Sequence, residues 1–188
     1  MFPQVDEQKQ KIILKVNQKK ELYDKALLIV AEKDILMQKA RQTKDFTLIG
    51  AFHGIPFSFK DQIQIKGVAS TVGCSFLTNN IDQEDANIVK VIRQEGGIPF
   101  VKSNVPQMTL SLHTDNPIFG QAQNPYDETR NTGGSSGGEG GLLAARCSPI
   151  GIGTDILGSL ARLRTSCEIW AYFYGNQLPY SWTNDQKC

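Results

Sequence analysis

The chain has 188 residues, 40% of them hydrophobic and 21% charged, with a formal net charge of +1. That length builds one domain with a real core, and the near-neutral balance removes any strong pull toward nucleic acid or an anionic membrane surface. Four cysteines (Cys74, Cys147, Cys167 and Cys188) include no CxxC pair and are joined by only two histidines, so no zinc centre is expected and the thiols read as free in a reducing compartment. The N-terminus is polar through Lys11, and no run approaches the roughly 20 apolar residues a membrane span takes. A cytoplasmic protein, at most peripheral to intracellular membranes, is the expectation.

In chain order, Glu7 to Ala40 reads as helix, either one or two. Apolar residues recur at Ile13, Val16, Leu22, Ala26, Ile29 and Val30, and no Pro or Gly interrupts. The Lys and Arg surplus before position 42 reads as its solvated face. Gly50 to Gly54 breaks this pattern. Ile55–Lys60 then reads as a buried strand ending at a lysine. Asp85 to Gly97 reads as a helix with Asp85 as N-cap, Ile88, Val91 and Ile92 on one face and Gly96 as the stop. Ile98–Lys102 reads as the next strand, and helix followed by strand points to an α/β sheet. Residues 103–132, with Pro106, Pro117 and Pro125, read as loop. Gly141–Arg146 reads as a helix body and Pro149–Asp155 as a strand.

Between these elements lies Thr132-Gly133-Gly134-Ser135-Ser136-Gly137-Gly138-Glu139-Gly140-Gly141. Such a composition suits a sharply bent backbone near a small molecule better than a regular helix or strand. A phosphate-binding loop is not complete here, because Glu139 stands where Lys followed by Ser or Thr would be needed. The dinucleotide pattern fails at Gly151-Ile152-Gly153, which Ile156 does not complete. Gly133–Gly137 formally satisfies the G-x-S-x-G nucleophile elbow, but His53 and His113 both precede it, whereas that fold places its histidine afterwards. A lysine base is the remaining chemistry. Lys60, at the end of an apolar strand, sits where desolvation would favour its neutral form; a structural or solvent-reaching lysine is the plain alternative.

Three segments in order, Gly54–Asp61, Gly133–Gly141 and Gly151–Ser159, resemble the amidase signature family. Asn104-Val105-Pro106-Gln107 and Asn116–Gln121 with Asn124-Pro125 are most similar to its fatty-acid amide hydrolase branch. The resemblance runs from about residue 47 to 160, with Lys60 and Ser135 75 positions apart and Ser159 a further 24 on. It implies a partial amidase-signature α/β fold, a mixed β-sheet flanked by helices, with an N-terminal helical segment over 1–45 and the amidase domain over 46–188. It also implies hydrolysis of a small-molecule carboxamide, fatty-acid amides among the candidates, through a Ser-Ser-Lys triad and an acyl-enzyme. No metal or organic cofactor and no nucleic acid is called for.

Carried over residue by residue, Lys60 matches the base, Ser135 the bridging serine and Ser159 the nucleophile. The peptide bond before Ser135 is expected to be cis, beside Gly133 and Gly134. Backbone N–H groups of Ile156, Leu157, Gly158 and Ser159 would hold the oxyanion. Thr109 and Ser111, with Leu112, lie where that branch contributes to its acyl pocket. Asp155 would orient the site or cap its turn, and Arg162 or Arg164 would stand for the arginine just past the nucleophile. Ser136 reads as a turn residue bonding the local backbone, and His53 and His113 as surface or loop residues. The pattern departs at Leu157, where the family has glycine. After Ser159 the likeness is loose until Gly175–Ser181, so a C-terminally truncated domain is expected. The alternative function is a catalytically inactive pseudo-amidase or an interaction fragment.

Overall fold

The computed structural model describes residues 3–155, 158–160, 163, 166–167, 169 and 171, with side chains from Leu22 onward, Glu128 apart. The sheet that positions everything else is built on β1 (Pro56–Lys60), which lies between β2 (Ile98–Ser103) and β5 (Ile150–Ile152), all three parallel. Alternation along β1 sends its residues to two different environments. Phe57 and Phe59 enter an apolar cluster with Leu22, Ile63, Ile65, Val68, Val89 and Ile92, and Phe52 meets Phe57 edge-on at 5.3 Å between ring centroids. Each such buried side chain is worth about 1.5–3 kcal/mol. Ser58 and Lys60 point to the other face, where α3 (Gly137–Ala144) packs.

This is the α/β arrangement expected, with helices flanking a parallel sheet. Among the described residues antiparallel pairing lies outside this sheet, in a separate hairpin, β3 (Gln123–Asn124) with β4 (Asp127–Asn131), and in an isolated bridge between Ala69 and Ile81. That hairpin and a 3-10 turn at Gln107–Thr109 lie in the stretch read as loop; a two-residue strand beside Pro125 carries no alternation to read. Between β1 and β2 the register shifts by one residue at Pro99–Phe100, leaving Lys60 opposite Ser103.

The N-terminal segment is one helix, α1 (Pro3–Thr43). Among its described side chains Leu22, Ala26 and Ala40 are buried, while Val30, read as part of the apolar face, is 39% exposed. His53, in the loop before β1, reaches the carbonyl of Lys33 on this helix through Nε2 at 3.0 Å. No helix among the described residues is long and apolar enough to cross a membrane.

Two helices differ from their sequence reading. The second, α2, spans Asn87–Gln94 with Ala86 at the N-cap. Asp85 does not cap it: the carboxylate accepts the Lys66 N–H at 2.8 Å and pairs with Arg93 at 3.0 Å. The buried face is Val89 and Ile92, whereas Ile88 and Val91 are 44% and 50% exposed. At the end of this helix Gly97 packs so tightly on Ile92 and Phe57 that a Cβ would not fit. The third, α3, begins at Gly137, inside the glycine-serine run and four residues before the helix read from sequence. Glycines are tolerated in it because the neighbours leave no space. A side chain at Gly138 would collide with the Asn104 backbone, and one at Gly137 with Thr114 and Thr132.

Candidate active site

Lys60 is the last residue of β1 and is 1% exposed. Its Nζ lies 2.8 Å from Ser135 Oγ, 2.9 Å from Thr154 Oγ1, 3.3 Å from Thr154 O and 3.4 Å from Ser159 Oγ. Ser135 Oγ is in turn 3.0 Å from Ser159 Oγ. The three residues singled out by motif therefore meet at one point, although they come from a strand end and two separate loops. Burial lowers the Lys60 pKa from 10.5 to about 8, against the opposing charges of Asp155 and Glu139. A neutral fraction of about a tenth, able to accept a proton, is thus available at pH 7.

The loop carrying Ser135 is fixed from both sides. The N–H and hydroxyl of Thr114 both donate to Gly133 O, at 3.0 and 2.8 Å, and Gly133 N–H donates to Asn131 Oδ1 at 2.8 Å. Gly133 has φ +88, a conformation that glycine adopts freely. The Gly134–Ser135 bond is cis. At Gly134 an added Cβ would lie 2.6 Å from Ser111 O, so the 111–113 segment runs directly against the loop.

Ser136 departs from the local turn role read for it. It is wholly buried, and its hydroxyl lies 2.8 Å from Ser159 Oγ and donates to Thr154 O at 3.0 Å. The α3 N-terminus starts at the next residue, so the positive end of that helix lies beside the serines.

Ser159 is held by the turn before it. The Asp155 carboxylate accepts the Gly158 N–H at 2.6 Å and the Leu160 N–H at 2.7 Å. Asp155 is therefore a turn cap that also faces Lys60 electrostatically. Gly158 N–H, one of the expected oxyanion donors, is engaged by that carboxylate here. Ile156 and Leu157, like Arg162 and Arg164 and the stretch Gly175–Ser181, lie outside the described residues. Thr109 has φ +57 and its hydroxyl donates to Met108 O at 2.6 Å. Ser111 is exposed and its Oγ accepts the His113 N–H at 3.1 Å; His113 itself is exposed. Sequence reasoning gave no role to Thr154 or Glu139, although both stand inside the motifs it singled out. Glu139 is 1% exposed and accepts a 2.6 Å hydrogen bond from Ser58.

A family model described as Amidase matches residues 11–162. The chain belongs to the amidase family. Vitamin D3 hydroxylase-associated protein of Gallus gallus is 42% identical to this amidase chain over 131 residues, which is 70% of the chain and 28% of that protein. Fatty-acid amide hydrolase 1 of Sus scrofa is 43% identical over 120 residues, 64% of the chain and 21% of that protein. A solved fatty acid amide hydrolase structure superposes with a TM-score of 0.67 at 29% identity, covering 72% of the chain and 23% of its own. These likenesses place the amidase chain near the fatty-acid amide hydrolase branch. It spans about a quarter of the length of the curated relatives it matches.

Proposed function

We propose that this chain carries a serine-nucleophile amide hydrolase centre in which Lys60 is the base, Ser135 the proton relay and Ser159 the nucleophile. The observation that carries this reading is the continuous path from Lys60 Nζ to Ser135 Oγ to Ser159 Oγ, at 2.8 and 3.0 Å, with the lysine buried and its pKa lowered to about 8. Neutral Lys60 takes the Ser135 proton while Ser135 takes that of Ser159. Ser159 Oγ then bonds to the amide carbon. The relay returns the proton to the leaving nitrogen as the C–N bond breaks, and water releases the acid from the acyl-enzyme. No step needs a metal or organic cofactor.

Backbone N–H groups of Ile156, Leu157, Gly158 and Ser159 are the proposed oxyanion donors; one such donor is worth roughly 2.7–4 kcal/mol in a well-studied serine hydrolase. Gly158 N–H has to leave Asp155 to serve there. The proposed substrate is a small carboxamide, and the name of the Sus scrofa relative supports an acyl amide. Thr109 and Ser111 belong to a segment that runs against Gly134 and carries exposed Leu110 and Leu112, an apolar surface suited to an acyl chain.

A fluorophosphonate probe tests the reading. Label on Ser159 of the wild type, lost in Ser159→Ala and strongly reduced in Lys60→Ala, is the expected result. A folded wild-type chain that takes no label overturns it and leaves the interaction-fragment alternative.

A further inference from the structure

We propose that Glu139 is a positioning residue that sets the protonation of Lys60: a buried carboxyl on the same face of β1, which holds the lysine charged while itself ionised and frees the neutral amine when it takes up a proton. The consequence for catalysis rests on the reading of Lys60 as base, whereas the coupling of the two groups does not.

The fold builds a seat for this carboxyl. Ser58 and Lys60 are two residues apart on β1 and share its α3-facing side. Glu139 Oε2 accepts a hydrogen bond from Ser58 Oγ at 2.6 Å. On β5, Gly151 is the register partner of Ser58, and a side chain there would collide with the Glu139 carboxyl. From β2, Ser103 is the partner of Lys60 and faces the same carboxyl, favouring its charged form. Yet neither Ser103 Oγ nor Glu139 Oε1 closes a hydrogen bond of ordinary geometry. Oε1 is therefore a buried oxygen at which a proton can reside.

Among the described residues the surrounding charges are few. Lys60 faces Glu139 from β1, and Asp155 faces Lys60 from the segment after β5. Residues 150–152 of β5 carry no titratable group. Lys102, on the opposite face of β2, is bonded to Ser70 and Ala69. Beyond α3, the Cys167 thiol donates to Thr132 O and burial pushes its pKa up to about 11.

Burial raises Glu139 to about 7 and lowers Lys60 to about 8, and each charge opposes the other's shift. Two groups that each shift the other by about a pH unit or more titrate as a coupled pair. A Glu139 carboxylic acid beside a neutral Lys60 amine holds as many protons as the corresponding ion pair, and it buries no charge. The base form can thus be reached without exporting a proton to solvent. Were Glu139 only a clamp between α3 and β1, a neutral isostere keeping the Ser58 bond would leave Lys60 unchanged.

The test is a titration of the full chain carrying 13Cε-lysine, followed by NMR, with Lys60 assigned from its loss in Lys60→Ala. Glu139→Gln should lower the Lys60 midpoint by about one pH unit and sharpen it to a single step. An unmoved midpoint overturns the proposal. Should Glu139→Gln fail to fold, 13C-carboxyl labelling of wild type decides. A glutamate titrating near neutrality, with an inflection shared with Lys60, supports the coupling. Full ionisation of every glutamate by pH 5.5 overturns it. Neither readout uses Ser159 reactivity, so a wild type that refuses the fluorophosphonate would sink the hydrolase reading and leave this one standing.

Discussion

Ser136 Oγ lies 2.8 Å from Ser159 Oγ, inside the 3.0 Å that separates Ser135 Oγ from the same atom. A hydroxyl has one proton to donate. Ser136 gives its proton to Thr154 O, so toward Ser159 it acts as acceptor. The Ser159 proton then rests on Ser136 and must swing to Ser135 to enter the proposed relay. In the proposed mechanism Ser136 orients the nucleophile, while Ser135 moves its proton. Ser136→Ala should slow fluorophosphonate labelling about tenfold, and Ser135→Ala by ~100-fold or more, the usual size of a proton-transfer contribution. Second-order labelling rates measure both, and equal losses would count against the division of roles.

Labelling should rise with pH through a midpoint near 8, where Lys60 loses its proton. Stability should follow the same group. Its folded pKa lies below its unfolded value of 10.5, so between about 8 and 10.5 the unfolded chain binds more protons and folding becomes more favourable as pH rises. Below that window the buried ammonium is a standing cost. Lys60→Met should therefore strongly reduce labelling yet raise the stability measured at pH 7 by about 1 kcal/mol. A thermal melt checks it, and a lowered Tm would show that Lys60's hydrogen bonds outweigh its desolvation.

The meeting of Lys60, Ser135 and Ser159 was legible in the sequence because the three residues stand in motifs whose composition is otherwise hard to explain: a lysine ending an apolar strand, serines among glycines, and a second glycine-rich turn. Their convergence follows from β1 lying between β2 and β5, which a strand-by-strand reading does not reveal. The helix α3 was hidden for a physical reason. Local propensity argues against helix across Gly137–Gly141, and only the crowding by Asn104, Thr114 and Thr132 makes glycine the residue that fits. Glu139 was passed over because its role depends on the β1 face shared by Ser58 and Lys60, which emerges only once α3 is placed on the sheet.

Two glycines separate close packing from backbone conformation. Gly138 would bring a Cβ into the Asn104 backbone, a clash that no rotamer relieves. Gly54 has φ +77 but open space around its Cα. Gly54→Ala should cost about 1 kcal/mol, the left-handed penalty alone. Gly138→Ala should cost about 3 kcal/mol, at the upper end for overpacking, and should also reduce labelling, since α3 carries Ser136 at its start. Urea denaturation of the two variants measures the difference; similar costs would mean that α3 can shift away from β2.

A second buried lysine, Lys102, lies on the other side of the sheet from Lys60. Lys102 Nζ donates to Ser70 Oγ at 2.6 Å and Ala69 O at 3.2 Å, and lies 3.6 Å from Asp82 Oδ2. That oxygen also accepts from Ser70 Oγ at 2.6 Å and from Ile65 N–H at 3.1 Å. Burial lowers the Lys102 pKa, against the charges of Asp61 and Asp82, which hold its proton on. Removing only the cation leaves a buried carboxylate without compensation, so Lys102→Met should cost about 3–5 kcal/mol. Asp82→Asn added to it should recover part of that loss, because the partner charge is then gone too. Urea denaturation of the two single variants and the double variant gives the coupling directly. Labelling of Ser159 per folded molecule should stay at the wild-type rate throughout, since Lys102 lies on the Phe59 face of the sheet and Lys60 on the other.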